Sequence, residues 1–520
     1  MNLTQRVHAV TGWLFAPASD YGIAVRWFLR VLALIYFSAF ASLGVQITGL
    51  AGEQGILPFG TALESLRQQA GTTAYWQFPN LFWIDSSDLS LKAAAVAGCL
   101  FATLLLFNRL PRISLAALFL LYLSLFHAGQ IYMNFQWDYL LLEAGFLALL
   151  LSMNASRLVV WMFHWLLFRL RFESGIAKML SGDETWRDFS ALRYYFETQP
   201  LPHRGAWYAH HLPEWILAPG VGLVLFAELL VPFLLFLPRR LRLFAGMVTL
   251  LTQLLILATS NHNWFNLLTI ALCLFLFDDR ALGRVWPVGR HPGSPPGIPE
   301  AGPSGRGRPG RWFTGLSAAV IFAASSALLW GLASQQRLPH AMNQAVNAVR
   351  AFGLTQRYHV FPTIRTERLE VELQGSADGL RWRRYDFRYK PGEPAMPPAF
   401  IVPHQPRLDW MMWFVTLSLP MNARWLEGLV QRLFENAPPV TALLASNPFS
   451  DAPPRFIRAE VFRYRFTTPE EKAETGNWWV REPAGPLLPM PWVNPAAVAV
   501  TPGGQAFSAP RPPPPARRSP

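Results

Sequence analysis

Charge is scarce in this chain, and cysteine scarcer still. Asp, Glu, Lys and Arg make up 15% of its 520 residues, against 52% hydrophobic, where soluble domains carry about 25% charge. That deficit, with a mean hydropathy of +0.21 and apolar runs near bilayer-spanning length, argues against a soluble domain and for a polytopic membrane protein. Cys99 and Cys273 are the only cysteines. Both sit in apolar runs, which leaves them a packing role rather than a disulfide. Zinc-ligand spacing, a phosphate loop, a dinucleotide fingerprint and a Ser-His-Asp elbow are equally absent, so neither a metal nor a cofactor is expected. The net charge of +13 raises nucleic acid as a partner. The arginines, however, fall in short loops and proline-rich tails, with no RNA-binding signature, and nucleic-acid binding is not expected.

Apolar runs of about spanning length occupy residues 27–50, 91–107, 215–237, 243–259 and 313–333, with shorter ones at 113–127, 139–152, 158–168 and 264–277. The count is about nine spans. The first run, beginning near Trp27, reads as a retained signal anchor. If the segment carrying Arg6 and Arg26 is cytoplasmic, the loops with Arg109, Arg112, Arg157, Arg239, Arg240, Arg242 and Arg280 also fall inside. The opposite loops carry Glu53, Glu64, Asp85 and Asp88 and little arginine. This is the positive-inside pattern.

The chain then divides into a cytoplasmic segment 1–26 and a helical bundle 27–286 with a polar non-cytoplasmic loop 171–214. A disordered cytoplasmic linker 287–312 and a last span 313–333 follow, then a non-cytoplasmic β-rich domain 334–492 and a disordered Pro-rich tail 493–520. The linker "PVGRHPGSPPGIPEAGPSGRGRPGR" cannot bury a core. In the last domain "RLEVELQGSADGLRWRRYDFRY" alternates about an Asp-Gly turn, as a hairpin does, and "RAEVFRYRFTT" alternates likewise. "RLDWMMWFVTL" and "RWLEGLVQRLFENAPPVTALLASNP" read as helices between them. The expected fold is a polytopic α-helical membrane protein carrying a C-terminal sandwich-like β-rich domain with helical insertions.

Several long blocks occur in a fixed order. They include "NFQWDYLLLEAGFLALLL", "FRLRFESGIAKMLSGDETWRDFSALRYYFETQPLPHRGAWYAHHLP", "SNHNWFNLLTIALCLFLFDD", "PHQPRLDWMMWF" and "LLASNPFSDAPPRFIRAEVFRYRFT". The series closely resembles the lipase maturation factor family. In animals these are endoplasmic-reticulum membrane proteins needed for folding and assembly of secreted dimeric lipases, with a lumenal, client-binding C-terminal region. The Ala/Arg/Pro-rich usage suggests a bacterial member, hence an inner-membrane protein with an exported client. "SGIAKMLSGDETW" is also similar, over about a dozen residues, to the lysine-containing segment of vitamin K-dependent γ-carboxylases, which bears on fold more than on activity.

The candidate residues each carry two readings. Lys178 is either a base in an apolar pocket, as the carboxylase resemblance implies, or a membrane-face anchor snorkelling beside Glu173 or Asp183. Ser181 or Asp183 suits the N-cap of a helix starting near Glu184 and holding Trp186. Glu197, His210 and His211 share one loop with Tyr194, Tyr195, Trp207 and Tyr208. Adjacent histidines make a poor metal pair, and the aromatics suit an interfacial belt. Asp138, Glu143 and Glu228, with Asn261 and His262, form an intramembrane polar network that either lines an outward cavity or bonds helix to helix. His404, Arg407 and Asp409 offer a site or an orienting clamp, and Trp410 an anchor for a client or for the bundle itself. The functional expectation is a noncovalent maturation factor for exported proteins. The alternative is a membrane enzyme modifying a lipid, quinone or protein side chain with Lys178 as base.

Overall fold

A segment crossing hydrocarbon must satisfy its own backbone, which leaves helices for this composition. In the computed structural model, which describes residues 3–285 and 308–498, ten helices build the bundle. They are α1 (Gly22–Gly44), α2 (Asp88–Leu106), α3 (Pro111–Ala128), α4 (Gln136–Met153), α5 (Arg157–Leu180), α6 (Arg204–His210), α7 (Glu214–Leu229), α8 (Arg239–Thr259), α9 (Phe265–Cys273) and α10 (Arg308–Ala333). Five stretches are long and apolar enough to cross a membrane by themselves: Ser19–Gly44, α2, α3, α8 and Gly310–Ala333. The pair α6 and α7, bent by 114°, adds a sixth if counted as one span.

The sequence count of about nine is therefore larger than what length and apolarity alone support. The difference has a physical cause. Helices α4 and α5 are enclosed by their neighbours and bury charged residues along their length, so they do not read as uniform hydrocarbon, and α9 spans only nine residues. Close contacts fix the packing: a Cβ at Gly98 of α2 would overlap the Phe40 ring of α1, and one at Gly145 of α4 would overlap the Tyr36 hydroxyl.

The C-terminal strands are β1 (Arg368–Ser376), β2 (Arg383–Arg384), β3 (Phe456–Phe466), β4 (Trp479–Pro486) and β5 (Trp492–Val493). All pair antiparallel in the order β2-β1-β3-β4, with β5 beside the start of β3. The predicted hairpin turn is present, with Gly379 at φ +78°, where glycine is unstrained. The sandwich expectation is corrected: among the described residues there is one sheet. Its apolar face, including Val371, Leu373 and Ile457, is covered by α11 (Arg407–Val415) and α12 (Leu419–Phe434) through Leu408, Met411, Met412 and Leu429. The inserted helices take the place a second sheet would occupy.

This domain caps one end of the bundle. Leu50, Ile56 and Tyr132, in short helices and a loop at that end, join its core, and Trp207 packs with Phe466 and Trp479. At the opposite end Ala18 N–H donates to the Ala155 carbonyl at 3.0 Å. There Asp279 accepts from the Gly22 and Ile23 amides at 2.8 Å each, and Arg239 pairs with Asp278. The linker expectation over 287–312 is corrected at its end, because Arg308 already begins α10; Pro309 fits the first turn, where a missing N–H costs nothing. Residues 287–307 lie outside the described ones. So does the tail from 499 on, while Pro495–Val498 is helical rather than disordered.

Candidate functional site

Buried backbone amides must find acceptors, and between α10 and β1 the chain finds them on the bundle. Residues 355–364 form a strap without regular secondary structure laid along α4 and α5. The Gln356 amide donates to Glu143 at 2.9 Å, the Tyr358 amide to Glu173 at 2.8 Å and the His359 amide to Gln136 at 3.1 Å. The Val360 amide donates to Ser174 at 3.4 Å and the Ile364 amide to Asp183 at 2.6 Å. In return Lys178 Nζ donates to the Val360 carbonyl at 2.6 Å, and Arg169 to the Gln356 carbonyl at 3.1 Å. The charges on the half of α4 and α5 nearer the sheet domain thus form a cradle for the protein's own backbone.

Ion pairs complete the cradle. Arg169 pairs with Glu143, and the Tyr358 hydroxyl donates to that same carboxylate at 2.9 Å. Lys178 pairs with Glu228 at 2.8 Å and stands 5.0 Å from the Trp186 ring centre, while Arg171 lies 3.6 Å from Glu228. Lys178 is 3% exposed, which corrects the snorkelling reading: its anchor is Glu228 of α7, not the interface. Its hydrogen bonds go to Glu228 and Val360 within the chain.

A second junction joins the sheet domain to the bundle. Arg407 of α11 makes a two-pronged pair with Asp138 of α4 at 2.7 and 2.8 Å, and the Tyr122 hydroxyl donates to Asp138 at 2.7 Å. Both charged side chains are buried, and a forked guanidinium suits this geometry where lysine would not. His404 bonds Ser42 at 2.8 Å, and the Arg407 amide donates to Gln46 at 2.8 Å. Trp410 is buried at this seam, edge-on to Trp137 at 5.0 Å. The client-facing reading of Trp410 is corrected on that ground, and its other reading, a seat on the bundle, matches the geometry. Asp409 turns the other way, accepting from the Tyr389 and Lys390 amides at 2.7 and 3.0 Å. Burial raises its carboxyl to about 6 despite those amides and the Lys390 ammonium.

The remaining candidates also meet the C-terminal domain. Glu197 accepts from the Phe466 amide at 2.7 Å and lies 3.8 Å from His210. Trp207 donates to the Thr467 carbonyl at 3.0 Å, so it is a domain contact rather than part of an interfacial belt. His211 turns back to the Trp207 carbonyl at 2.7 Å, away from the Glu197–His210 pair. Asn261 bridges the Leu201 and Ala399 carbonyls at 3.0 and 2.8 Å, and His262 bonds Tyr195 at 2.8 Å. Among the described residues no group of three or more His, Cys, Asp or Glu is placed to hold a metal.

Sequence reasoning passed over Arg169, Arg171, Tyr358 and Arg368. Two arginines in "FRLRFES" inside an apolar helix were a usable signal, since a buried charge needs a partner. Arg368, whose guanidinium donates to the Glu197 and Pro200 carbonyls at 2.8 Å each, opens a strand and carried no signal at all.

A family model described as the lipase maturation factor transmembrane domain matches residues 23–284. One described as the lipase maturation factor C-terminal domain matches 354–489. Lipase maturation factor 1 of Mus musculus is 34% identical over 526 residues, covering 93% of this chain and 88% of the relative. The Homo sapiens counterpart is 34% identical, covering 89% and 86%. Lipase maturation factor 2 of Mus musculus is 32% identical, covering 88% and 81%. No solved structure matches the chain.

Proposed function

The chain belongs to the lipase maturation factor family, and from that membership we propose that it assists folding or assembly of exported proteins, with lipase-class hydrolases as clients. The observation that carries the reading is the match of both family domains along most of one chain. The mechanism is noncovalent. A multi-pass bundle fixes the sheet domain at one membrane face, where a partly folded client is held, its apolar surface covered, and then released. A mobile, separately tethered domain would lose effective concentration at that surface; the strap and the Asp138–Arg407 clamp remove that freedom. The enzyme alternative is not favoured, since Lys178 is spent on Glu228 and Val360.

The crossing number we propose is nine, α6 and α7 together making one. The alternation of helix ends supports it. Loops 107–111, 154–157, 235–239 and 277–280 fall opposite the sheet domain, and they carry Arg109, Arg157, Arg239 and Arg280. By the positive-inside rule that end is cytoplasmic and the sheet domain is exported, in an inner membrane if the source is bacterial. The test is deletion of the gene, with exported lipase activity and lipase protein measured separately, and crosslinking in native membranes read by mass spectrometry. Lipase protein that persists while its activity falls, and lipase captured by the sheet domain, is the expected result. Unchanged activity of every exported lipase would sink the client assignment.

A further inference from the structure

A cleft of about 380 Å³ opens where the polar loop, the start of α7 and the approach to β1 meet. Its lining includes Phe189, Arg193, Glu197, His210, Glu214 and Thr366. The volume lies within the range of small-molecule sites, about 300–1,000 Å³. Two charges in it are unspent. The Arg193 guanidinium has no hydrogen bond or ion pair among the described residues; it stands beside the Tyr194 ring at 5.9 Å and near His210 of the same cleft. The Glu214 carboxylate, at the head of α7, likewise has no partner among them. Glu197 is engaged with the Phe466 amide, while His210 Nε2 lies 3.8 Å from it and the buried His210 Nδ1 has no hydrogen-bond partner among the described residues. Phe189 is held at φ +63°, in the left-handed region a bulky residue rarely adopts.

The rim is apolar and faces outward. Tyr208 is 62% exposed, Leu212 41% and Trp215 75%, and the rim runs onto α7, half of the bent crossing. Trp215, at the head of α7, is of the type that favours a bilayer interface. A cation and an anion in one cleft beside exposed apolar side chains match a ligand with a phosphate, a hydrogen-bonding ammonium and an acyl body. We propose that this cleft binds the headgroup of a zwitterionic phospholipid bearing a primary ammonium, its phosphate on Arg193 and its ammonium on Glu214. Thr366 brings the cleft within reach of β1, so the bound lipid bridges the bundle and the sheet domain. This rests on the multi-pass reading alone and is independent of which client the protein serves.

The test uses the full chain purified in mild detergent and returned to nanodiscs of phosphatidylethanolamine, phosphatidylcholine or phosphatidylglycerol, with retained lipid counted by native mass spectrometry. Phosphatidylethanolamine should be retained at least tenfold over the other two. Arg193→Gln should lower its retention about tenfold. Glu214→Gln should abolish the preference over phosphatidylglycerol, which has no ammonium, and Trp76→Ala, an exposed residue elsewhere, should change nothing. Thermal melts of each variant separate misfolding from lost binding. Equal retention of the three lipids, or retention indifferent to both charge variants in folded protein, overturns the proposal. So does displacement of the lipid by equimolar soluble phosphoethanolamine, which would make the ligand a free metabolite, or capture of a peptide instead of lipid by a photocrosslinker at position 193.

Discussion

Lys178 and Glu228 meet from helices that are 50 residues apart in sequence, and the pair makes a graded prediction. Lys178→Met leaves Glu228 beside Arg171, 3.6 Å away, so the loss is confined to two hydrogen bonds, about 1–3 kcal/mol. Glu228→Leu orphans both cations and should cost more, about 3–5 kcal/mol. Thermal unfolding of the purified variants measures the order. Client maturation per folded molecule should stay near wild type in Lys178→Met. A stable, well-folded Lys178→Met protein that matures nothing would instead restore the base reading. Only the outward charges of "FESGIAKMLSGDETW" were visible in the sequence, not their destinations, because the strap that uses them comes about 180 residues later.

Among the elements, the contact of α1 with α2 is the tightest to test. Gly98 leaves no room for a side chain against Phe40, so Gly98→Val should destabilise by about 1–3 kcal/mol, read as a lower melting temperature in detergent. Helix α11 gives a pH prediction. Asp409 has its folded-state value raised, through burial, to about 6 from 3.8. The folded state therefore binds the proton more tightly. Its contribution to stability is complete below about pH 4 and is lost as pH rises through 6, amounting to roughly 3 kcal/mol. Asp409→Asn keeps an acceptor for the Tyr389 and Lys390 amides and cannot ionise. The gap in melting temperature between variant and parent should widen in the variant's favour from pH 4 to pH 7; a constant gap would remove the argument. The strand and helix patterns of this domain were legible from alternation and helical period, but the layer they build was not. A sheet's apolar face reads the same whether another sheet or a helix covers it.

For the whole molecule, the side on which the sheet domain lies can be measured directly. Leu380 at the hairpin tip is 84% exposed, and Leu110 at the opposite end of the bundle is 61% exposed. A cysteine at 380 should react with a membrane-impermeant maleimide in intact cells, and one at 110 only after permeabilisation; the reverse pattern inverts the topology. Cys273 is buried, and the parent chain supplies the background. Composition and run length determined by themselves that this is a multi-pass helical protein with a folded C-terminal domain, because bilayer thickness and backbone satisfaction admit few other answers. Block order in the sequence also carried the family. What the tertiary structure decided is the meaning of the polar residues. Asp138, Glu143, Lys178 and Arg407 read as a site one at a time, yet each is paired within the chain, and Glu173 accepts the Tyr358 amide. A buried charge is defined by the partner that neutralises it, and those partners arrive from distant segments only when the chain has folded.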